Sequence, residues 1–369
     1  MPASVLEWVG LGLLTIFLVV VGVVAVYLAA GLFQARSLIR REFTAYFLSP
    51  TAYVVVVVFL LATGARFRLT LDQLTAAGPR GAEFPMQFMF SLLPQQLHSY
   101  TIDDLLSRFS FWLVLMLVPP LLTMRLFAEE RSTGTLEMLM TAPLRDWQLV
   151  LSKFVACYAF YVMMWLPTLI YLPVLLDAQT PEWHTVWTPY SIALFVGVIA
   201  VVLGLAALFV PGGGDVRGVG LALLLGGAVA AIGGGIAHYT LDTQHLLVWP
   251  VGIGTGALPV LATYLGMALV GAMFLALGLL VSSLVKHQLV AALVSVALGL
   301  AFIVTGFVRP GADAEGGLGR ALAAVSVPQH FSDDFCRGLI DTRHLTLYVS
   351  VAVLSLFLTV RSLESRRWR

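Results

Sequence analysis

Residues 257–308 read ALPVLATYLGMALVGAMFLALGLLVSSLVKHQLVAALVSVALGLAFIVTGFV. An uncharged run extends from Ala257 to Val285, Lys286 and His287 interrupt it, and a second uncharged run continues from Gln288 to Val308. Crossing the hydrocarbon core of a bilayer takes about 20 apolar residues in a helix. The stretch therefore reads as two membrane spans joined by a two-residue charged turn.

The same pattern recurs along the chain at 9–33, 51–65, 109–124, 154–176, 189–211 and 218–237, and again at 345–360, giving nine candidate spans. No Asp, Glu, Lys, Arg or His falls in any of them. The three short spans are expected to borrow flanking residues: Phe43–Ser49 before the second, Leu126–Ala128 after the third with Arg125 snorkelling, and flanking residues at the last. Of the 369 residues, 59% are hydrophobic and 11% charged, with mean hydropathy +0.93. An average soluble domain is about 25% charged, so a water-soluble fold is excluded. The expected class is an all-α polytopic membrane protein with about nine transmembrane helices. A net charge of +1 leaves no electrostatic footprint for nucleic acid. The two cysteines, Cys157 in an apolar run and Cys336 in a polar loop, are expected to be free thiols.

Lys and Arg concentrate on cytoplasmic loops. With the basic tail Arg366-Arg367-Trp368-Arg369 inside and nine alternating spans, the inner side collects 13 of the 21 basic residues and 7 of the 20 acids. An odd number of spans then puts the amino terminus outside, and Met1–Trp8 carries Glu7 and no Lys or Arg. The first apolar run is too long for a signal peptide and lacks its basic leader, so it is expected to stay as an anchor.

On the outer side, Phe84, Met86, Phe88, Met89 and Phe90 form an apolar patch within a long polar segment, 66–108. Two readings fit: a stretch lying in the interface, or a lid packed over the helices. Asp333-Asp334 lacks regular ligand spacing, so no metal is expected there. Six histidines, His98, His184, His238, His245, His330 and His344, fall in outer loops and read as solvated.

Two inner segments are richer. Between Gln34 and Ser49, Leu38, Ile39, Phe43, Tyr46 and Phe47 alternate at helical spacing with Arg36, Arg40, Arg41 and Glu42, and Pro50 ends the run. This is an amphipathic helix in the headgroup plane. The other segment, 125–153, reads RLFAEERSTGTLEMLMTAPLRDWQLVLSK. Gly134 breaks the path, and Thr135–Thr141 can form two helical turns with Leu136, Leu139 and Met140 on one side. Pro143 stops them, and Asp146 is the expected N-cap of the fourth span, with Lys153 at the interface. Two turns do not hold a helix in water. The apolar side needs either a partner surface or the hairpin's own membrane base.

Motifs for catalysis are missing. The Gly212-Gly213-Gly214-Asp215 turn lacks the lysine of a phosphate-binding loop. Glu129-Glu130 suggests a Glu-Glu-x-x-x-Arg membrane protease, but Gly134 stands where the arginine is required. No His/Glu metal spacing or Gly-x-Ser-x-Gly elbow occurs. Ion-coupled transport relies on ionisable groups at membrane depth, and the nine spans hold none. Energy for any transport is therefore expected from outside the chain, delivered at 125–153.

The run Leu38–Tyr53 (LIRREFTAYFLSPTAY) resembles the start of type-two ABC transporter permeases of the gliding-motility-associated kind. So does Met124–Leu139 (MRLFAEERSTGTLEML) followed by Pro143 and Lys153, and the likeness continues through Gly278–Ala291, His330–Asp341 and Val360–Trp368. The resemblance implies an elbow helix carrying Arg36, Arg40, Arg41, Glu42 and Phe43. It also implies a coupling helix that docks on a cytoplasmic ABC ATPase, its motif positions taken here by Glu129, Glu130, Arg131, Gly134, Thr135, Leu136, Glu137 and Pro143, beside the apolar Leu139 and Met140.

ATP and Mg would then sit on that partner, with no cofactor and no catalytic residue on this chain. The permease would act as a homodimer or heterodimer in the bilayer of a bacterial inner (plasma) membrane, with an extracytoplasmic accessory protein as a further candidate partner. The resemblance covers roughly 35–177 and 258–369. The expected organisation is an extra span, 1–33; the elbow, spans and coupling helix of the permease core, 34–188; an inserted hairpin and outer loop, 189–256; and the second half of the core, 257–369. The implied function is an ATP-driven exporter subunit. A non-transporting membrane scaffold with the same fold is the alternative, distinguished by whether an ATPase copurifies.

Overall fold

The computed structural model describes residues 27–28, 30–77, 85–90, 102–135, 145–171, 219–230, 257–305 and 324–367, with isolated positions at 196–197, 200 and 233. Every regular element among the described residues is helical. In chain order they are α1 (Arg36–Leu48), α2 (Pro50–Ala77), α3 (Pro85–Phe90), α4 (Ile102–Thr123), α5 (Ala128–Ser132), α6 (Asp146–Trp165), α7 (Ala257–Leu284), α8 (Gln288–Val304), α9 (Val327–Asp333) and α10 (Thr342–Arg367). A 3-10 turn, Leu166–Tyr171, continues α6, and another, Phe335–Arg337, follows α9. Among the described residues, four stretches are long and apolar enough to cross a membrane: Pro50–Gln73, Asp146–Leu169, Pro259–Leu284 and Thr342–Ser365. Phe111–Thr123, Val219–Ala230 and Gln288–Val304 are shorter apolar helices. Most of the expected spans 9–33 and 189–211 falls outside the described residues, whereas most of 218–237 is described, as the helix Val219–Ala230.

Helix α7 is the hub. It packs most extensively on α10 and also against α4, α6 and α8. Close approach depends on its glycines: a Cβ built on Gly271 would lie 2.0 Å from the Tyr161 ring, and one on Gly278 2.1 Å from Thr123 Oγ1. Tyr161 is fully buried there and its hydroxyl donates to the Met267 carbonyl at 3.2 Å. The outer faces of α2, α8 and α10 are apolar and open, with Leu61 68%, Leu289 77%, Leu293 70% and Val353 59% exposed. Faces of this size are what a bilayer covers.

The structure lengthens the second and third spans on the side opposite to the one expected. Phe43–Leu48 stays in α1 and Leu126 lies in a turn, whereas α2 continues to Ala77 and α4 begins at Ile102. At 1.5 Å per residue, the 22 residues of α4 reach about 33 Å. The physical reason is α3. Its Met86, Phe88, Met89 and Phe90 are buried between the helices, so the apolar patch is a packed lid. Its carbonyls receive two buried arginines: Arg66 Nε donates to Met89 O at 3.1 Å and its Nη2 to Phe88 O, while Arg108 Nη1 donates to Phe88 O at 3.3 Å and Nη2 to Gln73 Oε1 at 2.8 Å. Guanidinium groups satisfied in this way can sit inside a helix bundle. The expectation that the spans carry no charge is thereby corrected, because Arg66, Arg68 and Asp72 belong to the Pro50–Gln73 helix.

The loop histidines need a second correction. His330 is buried, its Nδ1 within 2.7 Å of the Tyr348 hydroxyl, and its ring stacks on His344 at 3.6 Å. His344 Nε2 in turn lies 2.8 Å from Asp334 Oδ2. Asp334, Asp341 and His344 place one donor atom each within 4.8 Å of the others, but Asp341 accepts the Arg343 amide at 2.8 Å and so caps the start of α10. Both cysteines are free and buried, and burial pushes the Cys336 thiol up.

Candidate functional site

The two segments singled out in the sequence meet at one end of the bundle. Helix α1 turns Leu38, Phe43 and Tyr46 inward against α6. Tyr46 stacks on Phe160 with centroids 4.9 Å apart, and its hydroxyl donates to Leu122 O at 3.0 Å. Phe43 meets Phe47 edge-on at 5.2 Å. Arg36 and Arg41 are exposed, the former with its guanidinium 4.6 Å from the Phe33 centroid, while Arg40 and Glu42 are half-buried.

Past α4, residues 124–127 turn and α5 begins. A helix start leaves amides without intrahelical partners, and here the acceptor comes from α7. Ser282 Oγ accepts the amides of Phe127 and Ala128 at 3.2 and 3.1 Å and donates to Met124 O at 3.2 Å. Arg131 Nη1 reaches the carbonyls of Ser283 and Val285 at 3.0 and 2.9 Å, closing the end of α7. Ala128 packs with Val281 and Ala291 beneath it. Gly134 has φ +74°, the left-handed conformation that only glycine adopts at no steric cost, and it turns the chain out of α5.

The third attachment is ionic. Lys153, whose side chain is 2% exposed, places Nζ 2.7 Å from Glu130 Oε1 and 3.2 Å from Glu42 Oε1, with the Phe127 ring centroid at 5.5 Å. Lys153 is therefore not at the interface as expected: it is the buried cation joining α1, α5 and α6. Burial alone raises the Glu42 carboxyl, but Lys153 and Arg41, the latter at 2.9 Å, outweigh it and hold the group below its ordinary value. Glu130 goes the other way. Burial raises it, Lys153 compensates only in part, and the Glu42 charge adds to the rise. Its Oε2 is buried with no hydrogen-bond partner among the described residues.

Helix α6 starts at Asp146 with Arg145 as the N-cap, whose amide donates to Gln148 Oε1 at 3.0 Å. Asp146 was the expected cap; it is instead the acidic residue of the first turn, where it suits the helix dipole. Arg125 is held rather than snorkelling, donating through Nη2 to Ser49 Oγ at 2.7 Å. Of the coupling positions, Glu129, Glu130, Arg131, Gly134 and Thr135 lie on or beside α5, with Glu129 and Thr135 exposed. Leu136, Glu137, Leu139, Met140 and Pro143 lie outside the described residues. Ser282 and the Lys153–Glu42 pairing are the parts that sequence spacing missed. A cavity of about 510 Å³ opens between α1, the end of α4 and α5.

The arrangement fixes one short segment at three points, to the hub helix, to the amphipathic helix and to α6. No curated protein and no solved structure matches the chain. Residues 84–282, more than half of the chain, match the family model described as ABC-2 family transporter protein. A bundle with open apolar outer faces and a match of that extent lead to one conclusion: the chain belongs to the ABC-2 transporter family, as a multi-pass membrane protein and the permease of an ABC transporter.

Proposed function

We propose that this permease is the membrane half of an exporter of the gliding-motility-associated kind, driven through residues 129–143 by a separate cytoplasmic ABC ATPase. Permeases of this family work generally with such a partner. The observation that carries the proposal is the three-point attachment of α5. A load applied at the exposed end of the segment passes to α7 through Ser282 and Arg131, and to α1 and α6 through Lys153. The connecting groups are charge-assisted or buried, each of order 1–3 kcal/mol, stiff enough to move helices together.

In this reading α1 is the elbow helix in the cytoplasmic headgroup plane of a bacterial inner membrane. The amino terminus is outside and the carboxy terminus inside. The core is 34–188 and 257–369, with 1–33 and 189–256 as additions. Two permeases, identical or different, pair in the bilayer, and ATP and Mg bind only the ATPase. Extraction in mild detergent should bring down an ABC ATPase with the chain, and the chain freed of it should hydrolyse no ATP. Sustained turnover by the pure chain, or an intact chain that never carries an ATPase, would refute the proposal.

A further inference from the structure

The sequence reads the helix before α1 as an anchor, and its last two turns carry a contact that anchoring does not need. Residues 27–28 and 30–34 are helical, Ala35 makes one turn, and α1 follows directly. Tyr27, Gly31 and Gln34 stand at i, i+4 and i+7, on one face of a helix, and all three meet the start of α6. The Tyr27 hydroxyl accepts from Arg145 Nη1, and the Tyr27 and Trp147 ring centroids lie 5.4 Å apart. Gly31 approaches the Trp147 ring so closely that a Cβ built on it would lie 2.0 Å from Cη2.

Gln148, 4% exposed, joins the two elements. Its Oε1 accepts the Arg145 amide at 3.0 Å, while its Nε2 donates to Gly31 O at 3.3 Å and to Gln34 Oε1 at 3.0 Å. One buried amide group thus caps the start of α6 and ties it to the helix before α1. The place of this contact along the chain gives it a meaning. The segment 129–143 leaves the bundle through α5, held by Ser282, Arg131 and Lys153, and the chain rejoins the bundle at Arg145. Those anchors fix the outgoing end, and Tyr27, Gly31 and Gln34 fix the returning one. The first turn of a helix has amides without intrahelical partners. If it frays, it absorbs a displacement instead of passing it on along α6.

We propose that residues 27–34 are a positioning element for the coupling segment, holding its returning end on α6 so that both ends are fixed when the ATPase moves it. The proposal rests on the reading of 129–143 as that segment. A helix that served only as an anchor could lose these contacts without effect on α6.

The test is hydrogen exchange of the full chain in nanodiscs, alone and with its copurified ATPase, the latter also trapped with ATP and vanadate. Gln148→Glu keeps an oxygen to cap Arg145 and replaces the donor to Gly31 O and Gln34 Oε1 by an acceptor that both repel. Exchange at Gln148 and Leu149, whose amides donate to Arg145 O, should quicken about tenfold, the factor of one lost hydrogen bond. Position 148 carries the new Glu in that variant, and its amide is read all the same. Adding Gln34→Lys gives the new carboxylate a cation and should restore protection. Gly31→Val, which alters no residue of α6, should quicken the same amides by displacing Trp147. Trapping should change exchange along α6 in the wild type and in the rescued double variant, and that change should vanish in both single variants while the ATPase stays bound. Unchanged protection in both single variants would overturn the docking. A full trapping response in both, with the ATPase bound, would overturn the positioning role and leave the helix an anchor. An ATPase that never copurifies with the wild type refutes the coupling reading itself, so the two failures are told apart by whether the partner is present.

Discussion

Replacing Lys153 by Met keeps most of the volume of the side chain, ends it one atom short of Nζ and removes its charge. At an effective dielectric of about 20, the attractions at 2.7 and 3.2 Å are about 6 and 5 kcal/mol. Desolvation of the buried ammonium offsets much of that sum. What remains is the cost of stranding two carboxylates whose side chains are 12% and 18% exposed. Removing one partner of a buried pair costs about 3–5 kcal/mol. The low end applies, because Glu130 already titrates high and can take up a proton once its partner is gone. Lys153→Met should therefore lose about 3 kcal/mol in denaturant unfolding of the purified protein. Adding Glu130→Gln should restore more than half of the loss, a coupling that independent sites would not show. A Lys153→Met protein within about 0.5 kcal/mol of wild type, the range of ordinary surface substitutions, would refute the buried-cation account.

Ser282→Ala leaves two buried amides without an acceptor, at about 1–3 kcal/mol. Hydrogen exchange at Phe127 and Ala128 should quicken while α7 stays protected, and unchanged exchange would show that Ser282 does not anchor the segment. Gly271→Ala sets a methyl 2.0 Å from a buried tyrosine ring; overpacking of about 1–3 kcal/mol should lower the thermal midpoint, and an unchanged midpoint would place Tyr161 elsewhere.

The acid cluster has a signed pH response. Glu130, raised by burial, contributes stability that is gained as pH falls from neutral through its folded value toward 4.5. Glu42, held low by Lys153, contributes stability that is present above 4.5 and lost as pH falls through its lower folded value. The unfolding free-energy difference between wild type and Glu130→Gln should therefore shift in favour of wild type as pH approaches 4.5, and the difference from Glu42→Gln should shift against it below that value. A pH-independent difference in both would contradict the assigned directions.

The helical membrane class was legible because excluding charge from a bilayer is a one-dimensional constraint, visible residue by residue. The ends of the second and third spans were not. Whether Arg66 and Arg108 can enter a bundle depends on the carbonyls of Phe88 and Met89, which come from a separate turn of chain. The two inner segments stood out by their charge spacing, and Gly134 by its position between two helical patterns. Their joint was hidden: Lys153 lies 111 residues from Glu42, and Arg131 finds its acceptors 152 and 154 residues away. Ser282 sits in an apolar run, where a hydroxyl usually bonds back to its own helix, as the neighbouring Ser283 does to Leu280 O. Nothing local marks it as the cap of another element. His330 looked solvated because the residues that cover it, His344 and Tyr348, belong to α10, which begins after a separate 3-10 turn.

The central claim is that residues 129–143 transmit the work of a separate ATPase, and Leu139→Asp tests it most directly. The variant places a charge on the apolar side of the coupling segment, where an unpaired buried charge costs several kcal/mol. Its membrane abundance and the amount of copurifying ATPase are measured together. The account predicts normal abundance with the ATPase lost; normal abundance with the ATPase retained would contradict it, as would loss of the protein from the membrane, which would mean that the segment packs on its own base.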